Sequence, residues 1–132
     1  MVADHGVSSV VRRVQSPSVE IRNRDRDAAP FRTKDGSTIR EYLHTGRQSL
    51  AEASLAAGQA TDRHYHLRSE EIYLVVEGAG RIRVGDDERA VVAGDAVLIP
   101  PGAWHDIAAG GQGVRFLCLC VPPYSDEDTY FT

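Results

Sequence analysis

GQATDRHYHLRSEEIYLVVEG, residues 58–78, is the stretch whose reading decides the fold. Its histidines, His64 and His66, stand one residue apart. On an extended strand alternate side chains share a face, so this spacing sends both imidazoles to one side and Tyr65 to the other. Glu71 then opens the run Glu71-Ile72-Tyr73-Leu74-Val75-Val76. Tyr73 and Val75 fall on its face, and Ile72, Leu74 and Val76 pack opposite. Two imidazoles and a carboxylate on inward faces are donors suited to a divalent first-row metal.

A second stretch supplies a third imidazole. GDAVLIPPGAWH, residues 94–105, turns at Gly94-Asp95, runs as a strand from Ala96 to Ile99 and reverses at Pro100-Pro101-Gly102. Proline fixes φ and glycine permits φ > 0, so the reversal is tight. His105 follows early on the next strand. Trp104 faces away from it, as a packing or interface residue. Glu70 precedes Glu71, and chemistry alone leaves the carboxylate open between them. The six-residue distance to Gly78 selects Glu71, with Glu70 a solvated charge. The expected metal ligands are therefore His64, His66, Glu71 and His105.

Working outward, turn signals recur at Asp35-Gly36, Glu77-Gly78, Gly85-Asp86, Gly94-Asp95, Pro100-Pro101-Gly102 and Gly110-Gly111. Short segments rich in valine, isoleucine, leucine and tyrosine lie between them. Strands at such spacing argue for an all-β sandwich or barrel. SLAEASLAAG, residues 49–58, has helical propensity, but it is short and set among strands, and a strand is expected there. The chain divides into an N-terminal arm over residues 1–29, a barrel over 30–122 and a C-terminal tail over 123–132.

Composition narrows the function. With 132 residues and 42% hydrophobic content the chain can bury one core without staples. A net charge of -4 argues against nucleic acid as the main partner. No apolar run approaches a membrane span, and the N-terminus lacks the apolar stretch of a secretion signal, so a cytoplasmic location is expected. Cys118 and Cys120 in FLCLC share a strand face, cannot easily close a disulfide with each other, and read as small apolar residues near a core.

The two stretches resemble the first and second motifs of the cupin superfamily, and the fifteen residues between Gly78 and Gly94 resemble the short spacer of compact microbial cupins. The resemblance covers about residues 31–122. It implies a jelly-roll β-barrel with a metal inside, and it places His64, His66, Glu71 and His105 on the family's ligand positions. Ala109 stands where the second motif often ends in asparagine, a turn residue that donates nothing to the metal.

Four protein donors leave one or two positions open on an octahedral ion. One iron, manganese, zinc or nickel ion per chain is expected, binding a small chelating oxygenated substrate as a Lewis acid or activating dioxygen. Tyr73 and His44 are candidates, with Glu71, for the catalytic machinery; His44 is read as reaching the cavity from an early strand, Glu41 to Thr45. Arg63 and Arg68 flank the first motif and read as surface arginines. The expected activity leans to a dioxygenase. The alternatives are a non-redox isomerase, lyase or polyketide-cyclase-type enzyme, and a metal-bearing binding module. Val7 to Val14 has no evident partner in its own barrel, and edge strands invite pairing, so a homodimer is expected.

Overall fold

The structure is a computed structural model that describes residues 18–131. Among the described residues nine strands form one antiparallel, curled sheet: β1 Phe31–Arg32, β2 Thr38–His44, β3 Ser49–Leu55, β4 His64–His66, β5 Glu70–Val84, β6 Asp87–Val92, β7 Ala96–Ile99, β8 His105–Val121 and β9 Thr129–Phe131. The backbone path runs β1-β2-β3-β8-β4-β9, and β5 lies along β8 while pairing with β7 over its first half and β6 over its second. This is the expected all-β jelly-roll barrel.

The two-residue periodicity read from the sequence holds on β5. Glu71, Tyr73 and Val75 are buried, while Glu70, Ile72 and Leu74 are exposed. The inward set joins Ala53, Leu55, Ile82, Ile99, Ile107, Val114 and Phe116 in the core. The segment with helical propensity is strand β3, because pairing with β2 on one side and β8 on the other outweighs a weak local preference.

Long β5 bends because its register slips against β8 between Val75 and Glu77 and between Gly78 and Gly80. Gly78 sits at φ +80° with the Gly113 carbonyl where a Cβ would go. Only glycine fits there, which explains the fixed distance from Glu71 to this residue.

Both flanking segments, where described, are tied to the barrel. The described part of the C-terminal tail packs on the barrel: Ser125 caps a 3-10 turn, Asp126–Asp128, and β9 then pairs with β4 through His64↔Phe131, Tyr65↔Tyr130 and His66↔Thr129. Three residues are too few to show a strand period, so the segment reads as tail until its partner is known. The described part of the N-terminal arm is fastened to the barrel. A single turn, α1 Arg24–Asp27, is capped by Asn23, and Arg24 Nε donates to the buried Glu52 Oε1 at 2.8 Å. Burial pushes the Glu52 pKa up, but Arg24 and Arg115 outweigh it and hold the carboxyl below its ordinary value. Val7 to Val14, the basis of the homodimer expectation, lies outside the described residues. Among the described residues no helix is long and apolar enough to cross a membrane.

Candidate metal centre

Strand pairing assembles the centre from three places in the chain. His64 faces His105 across the β4–β8 ladder, and Glu71 on β5 faces Cys120 on β8. The ring nitrogens of His64, His66 and His105 come within 4.8 Å of one another. Glu71 Oε1 lies 3.1 Å from His66 Nε2 and 3.1 Å from His105 Nε2. All four side chains are buried.

The outer nitrogen of each ring is already committed. His64 Nδ1 donates to the Asp62 carbonyl at 2.7 Å, and His105 Nδ1 donates to the Ala103 carbonyl at 2.9 Å. Carbonyls only accept, so in both rings the proton of the neutral tautomer sits on Nδ1. His66 Nδ1 lies 3.1 Å from Thr129 Oγ1, whose single proton goes to the Ser125 carbonyl at 2.8 Å. Thr129 must therefore accept from His66 Nδ1. All three Nε2 atoms are left as lone pairs, and those of His66 and His105 face Glu71 Oε1.

That arrangement is unfavourable unless something positive sits at its centre. Glu71 Oε1 and His105 Nε2 are buried without a hydrogen-bond partner, a state that normally costs about 1–3 kcal/mol per atom. Adjacent donors around an ion at ~2.1 Å stand about 3 Å apart, close to the 3.1 Å separations here. The orphaned atoms, the outward Nδ1–H groups and the spacing all fit a divalent cation. The Oε2 atom of Glu71 is held separately, accepting the Cys120 thiol proton at 3.1 Å.

Electrostatics follow the same geometry. Burial would raise the Glu71 pKa, but His105 and His66 prevail and keep the carboxyl well below the usual carboxylate range. Burial likewise lowers His66, yet Glu71 outweighs it and the His66 pKa is raised; His64, with burial and His105 both against its charged form, is lowered.

A cavity of about 80 Å³ opens onto the centre, lined by Glu71, His64, His66 and Tyr73 among others. That is room for a few waters or a small organic ligand. Tyr73 is buried against Phe116, with ring centroids 4.7 Å apart and its ring 6.0 Å from that of His105. Burial, then Glu71, pushes its phenol well above the ordinary value, so it stays an O–H donor.

His44 does not reach this cavity as the sequence suggested. A bulge between Glu41 and Leu43 returns His44 to the inward face, but at the barrel mouth. There it is exposed and its Nδ1 lies 3.0 Å from Glu41 Oε2. Glu41, not His44, lines the cavity. Val75 and Ile107 lie in the core rather than on the cavity wall. Cys118 and Cys120 are free thiols and both line the cavity. Arg63 lies over the Trp104 ring at 5.6 Å and Arg68 is mostly exposed, so neither enters the cavity.

Sequence reasoning missed Thr129, Asp128 and Asp35. Asp128 is buried and accepts from the Arg68 and Ser69 backbone N–H groups at 3.0 Å and 3.1 Å, which fixes the loop between His66 and Glu71. Asp35 was seen only as half of a turn signal.

Residues 51–122 match the family described as the cupin domain. The chain is a cupin. An uncharacterized protein of Methanocaldococcus jannaschii, MJ1618, is 44% identical over 106 residues, which span 76% of this cupin and 85% of the relative. Among solved structures, KdgF from Halomonas sp. superposes with a TM-score of 0.72 at 22% identity, over 84% of this cupin and 98% of that chain. Pac13 of Streptomyces, described as a nucleoside dehydratase, gives a TM-score of 0.72 at 17% identity, over 87% and 92% of the two chains. At these identities the structural likenesses establish the fold.

Proposed function

We propose that this cupin is a metal-dependent enzyme acting on a small oxygenated substrate that chelates the ion. The observation that carries the reading is the convergence of ring nitrogens from His64, His66 and His105 and an orphaned Glu71 Oε1 beside a cavity with room for a ligand, whose wall includes His64, His66 and Glu71. A divalent ion held there supplies Lewis acidity and, if it is iron or manganese, one-electron chemistry.

The chain's own groups favour proton transfer. Two further carboxylates, Asp35 and Glu41, line the cavity and can take a proton from a substrate carbon or hydroxyl. Tyr73, held protonated, donates a hydrogen bond to a substrate oxygen on the opposite wall. Carboxylate bases beside a Lewis acid suit an isomerase or lyase. The description of Pac13 as a dehydratase is in keeping with that class. The dioxygenase reading is second, favoured by the carboxylate in the ligand set, a donor that iron and manganese accept well.

Elemental analysis of purified protein, followed by a panel of 1,3-diketones, hydroxy ketones and catechols with an oxygen electrode, separates these readings. Turnover without oxygen uptake is the expected result, and uptake equal to turnover establishes the dioxygenase. Equal ligand affinity with and without metal, together with no turnover, makes the protein a binding module instead.

A further inference from the structure

We propose that the cavity selects an uncharged, hydroxyl-bearing ligand and rejects carboxylate substrates, with Asp35 as the selecting residue. The proposal rests on the metal reading above and names the substrate class for the same site. Three carboxylates face the cavity, Asp35, Glu41 and Glu71, and among the described residues no lysine or arginine lines it. A divalent ion brings two positive charges against these three negative ones, leaving the cavity one negative charge in excess. A dicarboxylate entering it meets the ion but gains no cationic side chain to balance its second charge. The arginines nearest the first motif do not help, since Arg63 is engaged with Trp104 and Arg68 points to solvent.

Asp35 is built to present an acceptor. Its Oδ1 takes three hydrogen bonds: from Thr33 Oγ1 at 2.6 Å, from Ser37 Oγ at 2.7 Å and from the Ser37 backbone N–H at 2.9 Å. Ser37 is fully buried, and the Asp35 carbonyl is tied to the Asp62 N–H at 2.8 Å. The turn between β1 and β2 is thereby fixed to the residue that orients His64, since the Asp62 carbonyl receives His64 Nδ1. With Oδ1 saturated, Oδ2 is the oxygen left to accept from a ligand hydroxyl. Asp35 lines the same cavity as His64, Tyr73 and Tyr124. Glu41 adds a second acceptor at the mouth. A hydroxyl donor satisfies both carboxylates, whereas a second carboxylate group finds no cationic side chain and is repelled by Asp35 and Glu41.

The test compares two probes of similar size, dihydroxyacetone and malonate, by calorimetry on the manganese-loaded protein. Asp35→Asn keeps Oδ1 and its three donors while removing the charge and turning the second acceptor into a donor. The variant is expected to bind malonate roughly tenfold more tightly, the scale of one charge in a partly screened site, and dihydroxyacetone roughly tenfold more weakly, the scale of a lost hydrogen bond to a charged acceptor. Glu41→Gln, at a half-exposed position that does not threaten folding, moves both affinities the same way by a smaller factor. Unchanged selectivity in both variants overturns the proposal. Metal stripping of the wild-type protein is the companion measurement: probe binding that survives it unchanged sinks the metal reading, whatever Asp35 does.

Discussion

Cys120 donates its thiol proton to Glu71 Oε2 at 3.1 Å, across a register pair of β8 and β5. The bond is a weak one by chemistry, yet it decides which carboxylate oxygen faces His66 and His105. Burial, then the charge of Glu71, keeps the thiol protonated and therefore able to donate. Replacing Cys120 with valine should weaken metal binding roughly tenfold, in line with other partners that orient a ligand. Cys120→Ser, which retains a donor, should restore most of it. Chelator competition at fixed pH measures both, and equal affinities for valine and serine would show that Cys120 only fills space.

The ligand assignment makes a sharper demand. His66→Ala should lower metal affinity by more than the roughly 10–100-fold typical of an outer partner. The double change His64→Ala, His66→Ala should abolish stoichiometric metal. Elemental analysis after dialysis decides it; a full equivalent of metal in the double variant places the ion elsewhere.

Thr129→Val removes the acceptor that fixes His66 Nδ1. The ring is then free to adopt the other tautomer or rotate. Metal affinity should fall about tenfold with a far-ultraviolet circular dichroism spectrum like that of the wild type. An unchanged affinity would mean that β4 packing alone orients the ring.

The pH dependence follows from opposite shifts of neighbouring histidines. His66 is raised and His64 lowered in the metal-free protein, so His66 takes a proton first as pH falls. Metal occupancy should therefore decline below about pH 6 after exhaustive dialysis, because a ligating imidazole must be neutral. The stability signs are separable. A raised histidine contributes stability that is fully present below its unfolded pKa of about 6.5 and lost as pH rises through the folded value. A lowered histidine does the reverse, losing its contribution as pH falls below 6.5. Metal-free His66→Gln should thus be destabilised relative to wild type more at pH 5.5 than at pH 8, by thermal melting.

Gly78→Ala tests the fold rather than the centre. A Cβ there meets the Gly113 carbonyl, and the residue sits at φ +80°. A loss of roughly 2 kcal/mol or more is expected from strain and overlap together, read as a lower denaturant midpoint. Gly85→Ala, whose Cβ would meet nothing, should cost less.

Much of this was legible in the sequence because it obeys a period or a turn rule. Alternation on Glu71-Ile72-Tyr73 gave the inward face, and the glycines gave the turns. His44 was misplaced because it closes β2 at an exposed position beside Glu41, and how far along a strand the cavity extends leaves no periodic trace. Thr129 and Asp128 were missed for a different reason. Their roles depend on which distant segment they meet, a pairing across roughly sixty residues that no local pattern encodes. Asp35 looked like an ordinary turn residue, and only the closed barrel shows that the turn opens into the cavity.

The pairing of β9 with β4 also has a temporal side. During synthesis His64, His66, Glu71 and His105 all leave the ribosome before Thr129 does. Until that last strand docks, His66 lacks its Nδ1 acceptor and the loop before Glu71 lacks the Asp128 carboxylate. An ion met by the nascent chain finds the donors without their full orientation. On the proposed metal reading, loading is a late event in maturation, and a fusion partner attached just beyond Phe131 lies where it can interfere with it.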